Sequence, residues 1–267
     1  WEFDFGKHRA ELHEMAGLPL PLPKKIARMD WAHNNTIEAL PDTPLGRRDA
    51  RFRQGNILFS MRQLDIIGVV DREKDAIVWA WGRGVLDGQH QPTMLPNGNI
   101  LIFDNGTLRG YSSVLEVHPA TGKIVWNYED RKAFYSPFRS GAERLPNGNT
   151  LICSCDQSRI FGVTPDKEIV WDYYPPFSNQ SEVGLLSRRP YRAIRYSRKE
   201  VDGWLKNRPG KHLKFVPVAR LADGCVKAKL STEPHDGLSI PGPSGVRNER
   251  LLYQANHEGR LLVAAPI

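Results

Sequence analysis

The chain has 267 residues, of which 25% are charged and 40% hydrophobic, a composition that excludes disordered and collagen-like proteins. No apolar run approaches the roughly 18 residues that a membrane-spanning helix needs, so we predict no membrane span. Thirty-seven Lys and Arg against 30 Asp and Glu give a net charge of +7, but apart from a cluster at 188–211 this charge is scattered, and we predict no nucleic-acid partner.

Three sequence markers repeat in phase along the chain. An Ile-Val-Trp segment recurs at spacings of 47 and 45 residues, and a Gly-Asn segment and a short apolar segment recur with it. The copies are Ile77–Trp79, Ile124–Trp126 and Ile169–Trp171, then Gly55–Leu58, Gly98–Leu101 and Gly148–Leu151, and then Ile67–Val70, Val114–Val117 and Ile160–Val163. Apolar residues alternate with polar ones here, which predicts strands rather than helices.

Each period holds about four short strands, and four antiparallel strands that repeat about every 40 to 50 residues are typical of propeller blades. We therefore predict an all-β chain, a β-propeller of four-stranded antiparallel blades, in one domain over 1–267. The predicted blades span about 28–82, 83–130 and 131–175, followed by an irregular part over 176–267.

The beginning of the chain looks like the end of a blade. Trp1-Glu2-Phe3 is similar to the end of a Val-Trp strand, and only three complete blades follow. Because closed propellers usually have four or more blades, we expect earlier blades to be missing from this sequence or to come from another chain. The first residue is Trp rather than Met, so we expect a removed leader or a longer parent chain.

The irregular C-terminal part holds two further predicted elements. Ser197 and Glu200 have the spacing of a capping box and predict a short helix over 201–207. Segments 250–253 and 260–263 predict a last hairpin, which would give a fourth, irregular blade.

The chain has three cysteines. Cys153 and Cys155 lie on the same face of a predicted strand, where a mutual disulfide is geometrically poor. Cys225 could bridge to either of them, but buried free thiols are the preferred interpretation.

Two histidines occupy related positions at the start of neighbouring inner strands. His33 and His90 each precede a Thr by three residues, and inner strands of a propeller line its central channel. The position seven residues after the marker glycine is Arg62, then Asn105, then Cys155. We therefore expect both imidazoles and a guanidinium to face a common space.

These residue types suit an anion. A neutral imidazole can act as nucleophile or general base, and a guanidinium binds an oxyanion through two donors. Because no carboxylate or thiol stands at ligand spacing beside the histidines, we predict no metal. The alternative is that His33 and His90 only cap the inner strands through hydrogen bonds.

Several of these motifs, taken in order, resemble the bacterial arylsulfate sulfotransferase family, which needs no nucleotide sulfate donor. The matching segments are Asp30-Trp-Ala-His33-Asn-Asn35-Thr36, Ser60-Met-Arg62-Gln63, Gln89-His90, Phe103-Asp-Asn-Gly106, Arg109-Gly-Tyr111 and Tyr191-Arg-Ala-Ile-Arg-Tyr196. The resemblance implies a six-bladed propeller, usually exported to the periplasm, so we expect a periplasmic or secreted protein. It also implies transfer of a sulfuryl group from a phenolic sulfate ester to a phenol through a histidine intermediate, with no cofactor.

The resemblance also implies residue roles. His90 would be the nucleophile, His33 the acid or base at the phenolic oxygen, and Asn35 and Arg62 the ligands of the sulfuryl oxygens. Asn105 is a further predicted substrate-binding residue. The family's site also uses a histidine of an earlier blade, and this sequence has no motif that matches it.

Two other functions remain open at this stage. The chain could be an inactive propeller that serves as a scaffold or binding subunit of a larger exported complex, in which a second copy or another chain completes the ring. It could also be a quinoprotein-like dehydrogenase, because Ala120–Trp126 resembles the repeat of such propellers.

Overall fold

The structure is a computed structural model that describes residues 1–21, 30–175, 179–180, 186–187, 189–206, 253–255 and 261–263. The chain divides into two compact units, one of residues 1–194 with 264–267 and the other of residues 195–263. The prediction of one domain over 1–267 stays a prediction, because most of residues 207–267, including Cys225, lie outside the described residues.

Each of the three predicted blades is a separate four-stranded antiparallel sheet with its strands in sequence order. The first contains β1 (Asn34–Ala39), β2 (Ile57–Met61), β3 (Ile66–Asp71) and β4 (Ala76–Trp81), the second β5 (His90–Met94), β6 (Ile100–Asp104), β7 (Ser113–His118) and β8 (Lys123–Glu129), and the third β9 (Gly141–Arg144), β10 (Thr150–Ser154), β11 (Arg159–Val163) and β12 (Ile169–Tyr173). The all-β fold of four-stranded blades is therefore confirmed. The six-bladed ring stays a prediction.

Side-chain alternation gives each blade two buried faces. In β3, Ile67 and Val69 pack towards the second blade, whereas Ile66 and Val70 pack on the opposite side. A strand that is buried on both faces has a continuous apolar sequence, which explains the apolar marker of the repeat. The core between the first two blades contains Leu40, Phe52, Leu58, Trp79, Leu86, Met94, Ile100, Ile102, Leu115 and Val117. The core between the second and third contains Leu95, Leu101, Phe103, Val114, Tyr128, Phe134, Ile152, Phe161 and Val163.

The other face of the first blade is covered by the N-terminal segment. Helix α1 (Arg9–Ala16) buries Leu12 against this face, and Glu11 Oε2 accepts a hydrogen bond from the Ile77 N–H at 2.6 Å. The helix ends at Gly17, whose φ of 65° lies in the left-handed region that favours glycine. None of the described helices is long and apolar enough to span a membrane.

Two cysteines stand at the far face of the third blade, Cys153 within β10 and Cys155 directly after it. Cys153 and Cys155 are buried and free, as predicted. Cys153 Sγ lies 3.5 Å from the Pro190 carbonyl oxygen, so the chain after the third blade returns to this face. Between β12 and Pro190, the chain forms a short antiparallel pair of two-residue strands, β13 (Asn179–Gln180) and β14 (Leu186–Ser187).

The second unit contains α2 (Arg198–Lys206) and most of a three-stranded sheet. Its strands are β15 (Ile194–Tyr196), β16 (Tyr253–Ala255) and β17 (Leu261–Val263), in the order β15, β17, β16. Strands β16 and β17 are antiparallel, which confirms the predicted hairpin, and the predicted strand residues 250–252 lie outside the described residues. The predicted helix start at 201 is wrong. The Ser197 Oγ accepts from the Glu200 N–H at 3.3 Å, so the first helical residue directly follows Ser197.

Two glycines inside middle strands allow a matched test of blade packing. A Cβ on Gly68 would lie 2.4 Å from Phe59 Cζ and 2.7 Å from the Trp79 carbonyl oxygen, whereas a Cβ on Gly162 would meet only Trp171 Cβ at 3.7 Å. We expect Gly68→Ala to lower the free energy of unfolding by about 1–3 kcal/mol through overpacking. Gly162→Ala should change it by less than about 0.5 kcal/mol. Urea denaturation measures both, and equal effects would contradict this account of the first blade.

Candidate active site

The predicted site residues meet where the inner strands of the first two blades begin. His33 directly precedes β1, and His90 is the first residue of β5. Both strand starts are irregular: His33 has a φ of 48° and Gln91 a φ of 47°, and the pairing of each strand with its neighbour shifts register there. Such bulges re-aim side chains near a strand end, here at the edge shared by the two blades.

Two hydrogen bonds from the first blade flank His90. The Asn35 Nδ2 donates to the Gln89 carbonyl oxygen at 2.8 Å, and the Gln91 N–H donates to Thr36 Oγ1 at 3.2 Å. The residues before and after His90 are therefore both bonded to β1. This arrangement fixes the backbone of His90 relative to the neighbouring blade.

The side chain of His90 is held in one orientation by Asn105. The Asn105 Nδ2 donates to the carbonyl oxygens of Ser136 at 2.8 Å and Arg139 at 3.0 Å, so its Oδ1 must face the ring of His90. His90 Nδ1 lies 2.7 Å from that oxygen and 3.2 Å from the Gly88 carbonyl oxygen. Because both neighbours only accept, Nδ1 carries the proton of the neutral ring. The lone pair is therefore on Nε2.

The surroundings of His90 keep it uncharged. The residue is only 5% exposed, and burial lowers its pKa from 6.5 to about 4, although the hydrogen bond to Asn105 opposes this. The positive charges of Arg62 and of protonated His33 lower the pKa of His90 further. At neutral pH the ring is a neutral base with a free Nε2.

His33 is oriented by a carboxylate from its own loop. The Asp30 carboxylate accepts from the His33 N–H at 3.0 Å through Oδ1, and its Oδ2 accepts a short hydrogen bond from His33 Nδ1. Since Nδ1 donates to Asp30, Nε2 is the nitrogen that can exchange a proton with a ligand. The His33 side chain is 45% exposed, so it can meet a ligand from solvent.

Arg62 lies next to His33 and opens towards solvent. Its N–H donates to the His33 carbonyl oxygen at 3.1 Å. Its Nη2 makes only long hydrogen bonds, 3.4 Å to Thr107 Oγ1 and 3.5 Å to the Pro137 carbonyl oxygen, and its guanidinium carbon lies 5.2 Å from the centroid of the Phe138 ring. Its charge acts on the Asp65 carboxylate, but none of the described carboxylates forms an ion pair with it, so the guanidinium keeps donors for an anion.

Two carboxylates fix the loop that leads into β5. Asp65 Oδ1 accepts from the Gly88 N–H at 2.7 Å, and Asp104 Oδ1 accepts from the Asp87 N–H at 2.8 Å. Burial raises the pKa of Asp65, and it raises the pKa of Asp104 to about 6 although Arg109 lies 2.9 Å from its Oδ2. These acids hold the backbone before His90 in place.

The structure places all five predicted site residues in the same region. Two of them, Asn35 and Asn105, use their side-chain amide groups for hydrogen bonds within the protein. Asn35 uses its Nδ2 for the bond to Gln89, and its Oδ1 is buried without a partner among the described residues. Asn105 is fully buried, and its amide bonds to His90 and two carbonyl groups, so here it is a positioning residue. Cys155 stands at the same repeat position in the third blade, seven residues after its marker glycine. It is a buried thiol, and burial raises its pKa.

Sequence reasoning did not assign roles to several residues that shape the site. Asp30 precedes His33 by three residues in the family motif, so local spacing could have identified it as a hydrogen-bond partner. The carbonyl groups of Ser136 and Arg139 and the carboxylate of Asp65 carry no such signal, because they come from distant loops. Among the described residues no group of three His, Cys, Asp or Glu is placed to hold a metal ion.

Solved structures with some likeness to this chain share little sequence with it. A virginiamycin B lyase from Staphylococcus aureus is 15% identical over 65% of this chain and 47% of its own, with a TM-score of 0.42. The WD40 propeller domain of Doa1 is 13% identical over 58% and 48%, with a TM-score of 0.40. A Bacteroides caccae protein of unknown function is 19% identical over 49% and 47%, with a TM-score of 0.37. The matched region thus spans about half the length of these structures.

No curated protein matches the chain. The model of one protein family, arylsulfotransferase (ASST), matches residues 21–175. This match covers more than half of the 267 residues and includes all three blades and every predicted site residue. The chain therefore belongs to the arylsulfotransferase family.

Proposed function

We propose that this protein transfers a sulfuryl group from a phenolic sulfate ester to a phenolic acceptor, with His90 as the nucleophile. The observation that carries the proposal is the state of His90: a neutral ring whose Nδ1–H is bound by Asn105, beside an Arg62 that no described carboxylate pairs. Family membership supports the same class of reaction.

In the first half-reaction, His90 Nε2 attacks the sulfur and the bond between sulfur and the phenolic oxygen breaks. The leaving oxygen takes the bonding electron pair and receives a proton from protonated His33. Arg62 stabilises the negative charge on the sulfuryl oxygens as it spreads in the transition state. The product is a phenol and an imidazole sulfurylated at Nε2.

The Nδ1–H of His90 does not leave during this step. Sulfuryl transfer places positive charge on the ring, so the hydrogen bond from Nδ1 to Asn105 Oδ1 becomes charge-assisted and stronger. The Asn105 amide cannot turn away, because Ser136 and Arg139 accept both of its donor hydrogens. This hydrogen bond stabilises the charged intermediate, whereas burial and the positive charge of Arg62 disfavour a positive ring.

In the second half-reaction, the acceptor phenol gives its proton to His33 Nε2 and its oxygen attacks the sulfur. The bond from sulfur to His90 Nε2 breaks and returns the neutral ring. A buried imidazole with a lowered pKa is a weaker base than a free one, but it is a better leaving group from sulfur. The same environment thus favours the return of the sulfuryl group.

Other features of the function stay predictions. We propose a periplasmic or secreted location and small aryl sulfates and phenols as the substrates. A partner chain that completes the ring, and an inactive scaffold role, are the alternatives that the following experiments separate from catalysis.

The first prediction concerns the covalent intermediate. Incubation with 4-nitrophenyl sulfate should release nitrophenolate faster when phenol is added, and mass spectrometry of a quenched sample should show one added sulfuryl group. His90→Ala should abolish both signals because it removes the nucleophile, while His118→Ala, at the end of β7, should retain them. A folded wild-type protein with neither release nor added mass would favour the scaffold role.

The second prediction concerns the cation. Arg62→Ala should lower kcat/KM for 4-nitrophenyl sulfate by about 10²–10³-fold, because the sulfuryl oxygens lose a charged donor in the transition state. Arg62→Lys keeps the charge but loses the paired donors, so its loss should be smaller. The control is Arg48→Ala, whose guanidinium bonds only to the Pro44 carbonyl among its described contacts. An unchanged rate in Arg62→Ala would rule out this role.

The third prediction concerns pH. Because burial lowers the pKa of His90 to about 4, the ring stays neutral as pH falls through 6.5 and becomes protonated only near pH 4. The acid limb of kcat/KM should therefore lie near pH 4 rather than near 6.5. Asp104 has a pKa raised to about 6, so Asp104→Asn is the control that removes its contribution. Circular dichroism at each pH separates protonation from unfolding, and a limb near 6.5 in both proteins would contradict the assignment.

A further inference from the structure

The loop between β8 and β9 presents an exposed aromatic ring on a fixed backbone. Phe138 is 52% exposed, yet its N–H donates to Asp156 Oδ2 at 3.3 Å. Its carbonyl oxygen accepts from Ser136 Oγ at 3.3 Å and from Ser140 Oγ at 3.2 Å. Both backbone groups are satisfied, so the ring position is set although the ring itself adds little to the core.

This loop also carries parts of the site. The carbonyl groups of Ser136 and Arg139 hold Asn105, and the Pro137 carbonyl group lies 3.5 Å from Arg62 Nη2. The guanidinium carbon of Arg62 is 5.2 Å from the centroid of the Phe138 ring. The ring therefore lies beside the cation that is expected to bind the sulfuryl oxygens.

A second exposed apolar side chain lies on the loop between β6 and β7, which is hydrogen-bonded to the loop between β8 and β9. Thr107 Oγ1 donates to the Pro137 carbonyl oxygen at 3.0 Å, and the next residue on each side of this bond is apolar: Leu108 and Phe138. Leu108 is 91% exposed, although its N–H donates to Asp87 Oδ2 at 2.8 Å. Neither side chain is buried by the described protein, so packing does not account for them.

Phe138 stands as many residues before the leucine that ends its inner strand as His33 does in the first blade. The N–H groups of Leu40, Leu95 and Leu145 make the same hydrogen bond at the end of each inner strand. Seven residues before these leucines are His33, Gly88 and Phe138. Gly88 has no side chain, and a Cβ there would lie 2.7 Å from Thr107 Oγ1 and 3.6 Å from Arg62 Nη2. The second blade therefore has no side chain at this position, and Thr107 and Arg62 lie next to its backbone.

We propose that Phe138, assisted by Leu108, binds the aromatic ring of the sulfate ester while Arg62 and His90 engage its sulfuryl group. The aryl carbon is separated from sulfur by one oxygen, so a ring beside Arg62 is within reach of the substrate's own ring. Stacked or edge-on rings attract each other beyond their buried area. Phe138 is thus a specificity-determining residue for aromatic esters, an inference that rests on the proposed function.

The test compares Phe138→Ala, Phe138→Tyr and the wild type with 4-nitrophenyl sulfate. We expect Phe138→Ala to raise KM by about three- to tenfold with little change in kcat, and Phe138→Tyr to retain the wild-type KM because it restores a ring. The inhibition constant of inorganic sulfate should stay unchanged, since sulfate has no ring. Tyr174→Ala, which removes another exposed aromatic residue, is the matched control.

Three outcomes would overturn the inference: a KM that changes less than twofold in Phe138→Ala, a loss of kcat at constant KM, or a KM that Tyr does not restore. If the wild type shows no turnover, the proposed transfer has failed, and the binding of 4-nitrophenol is then measured by calorimetry. Binding that Phe138→Ala weakens and Phe138→Tyr restores supports the ring-binding role. Absence of binding to the folded wild type overturns it.

Discussion

The hydrogen bond between Asn105 and His90 is the interaction on which the rest of the site depends. It selects one tautomer of a buried ring and leaves the lone pair on Nε2. The direction of this hydrogen bond is fixed because two carbonyl oxygens of the loop after β8 accept from the Asn105 Nδ2, which leaves Oδ1 facing His90. The ring of His90 is therefore oriented by Asn105, and Asn105 is oriented by the neighbouring blade.

Contacts between blades do more here than fill the core. The first blade bonds to the residues on both sides of His90, and the loop of the third blade carries the partners of Asn105. Buried carboxylates secure the loop before β5 at a cost in desolvation, which the raised pKa of Asp104 records. Polar groups of three blades thus converge on one imidazole, and the apolar faces keep the blades in register.

Much of the fold could be predicted from sequence because the repeat is local. Strand alternation and the three repeated markers predicted four strands in each of the three blades, and the capping box predicted a helix although not its start. The candidate site was harder. Spacing located His33, Arg62 and His90, but Asn105 was predicted to bind the substrate, because the sequence gives no sign of which way its amide points.

The amino-acid sequence by itself determined the period of the blades, the residue types at their inner ends and the family. Only the tertiary structure decided which ring nitrogen of His90 is free, that Asp30 orients His33, and that Phe138 is exposed beside Arg62. The physical reason is the sequence separation of the interacting groups. Strand patterns depend on neighbours a few residues apart, whereas the pKa of His90 and the direction of the Asn105 amide depend on groups that come from other blades.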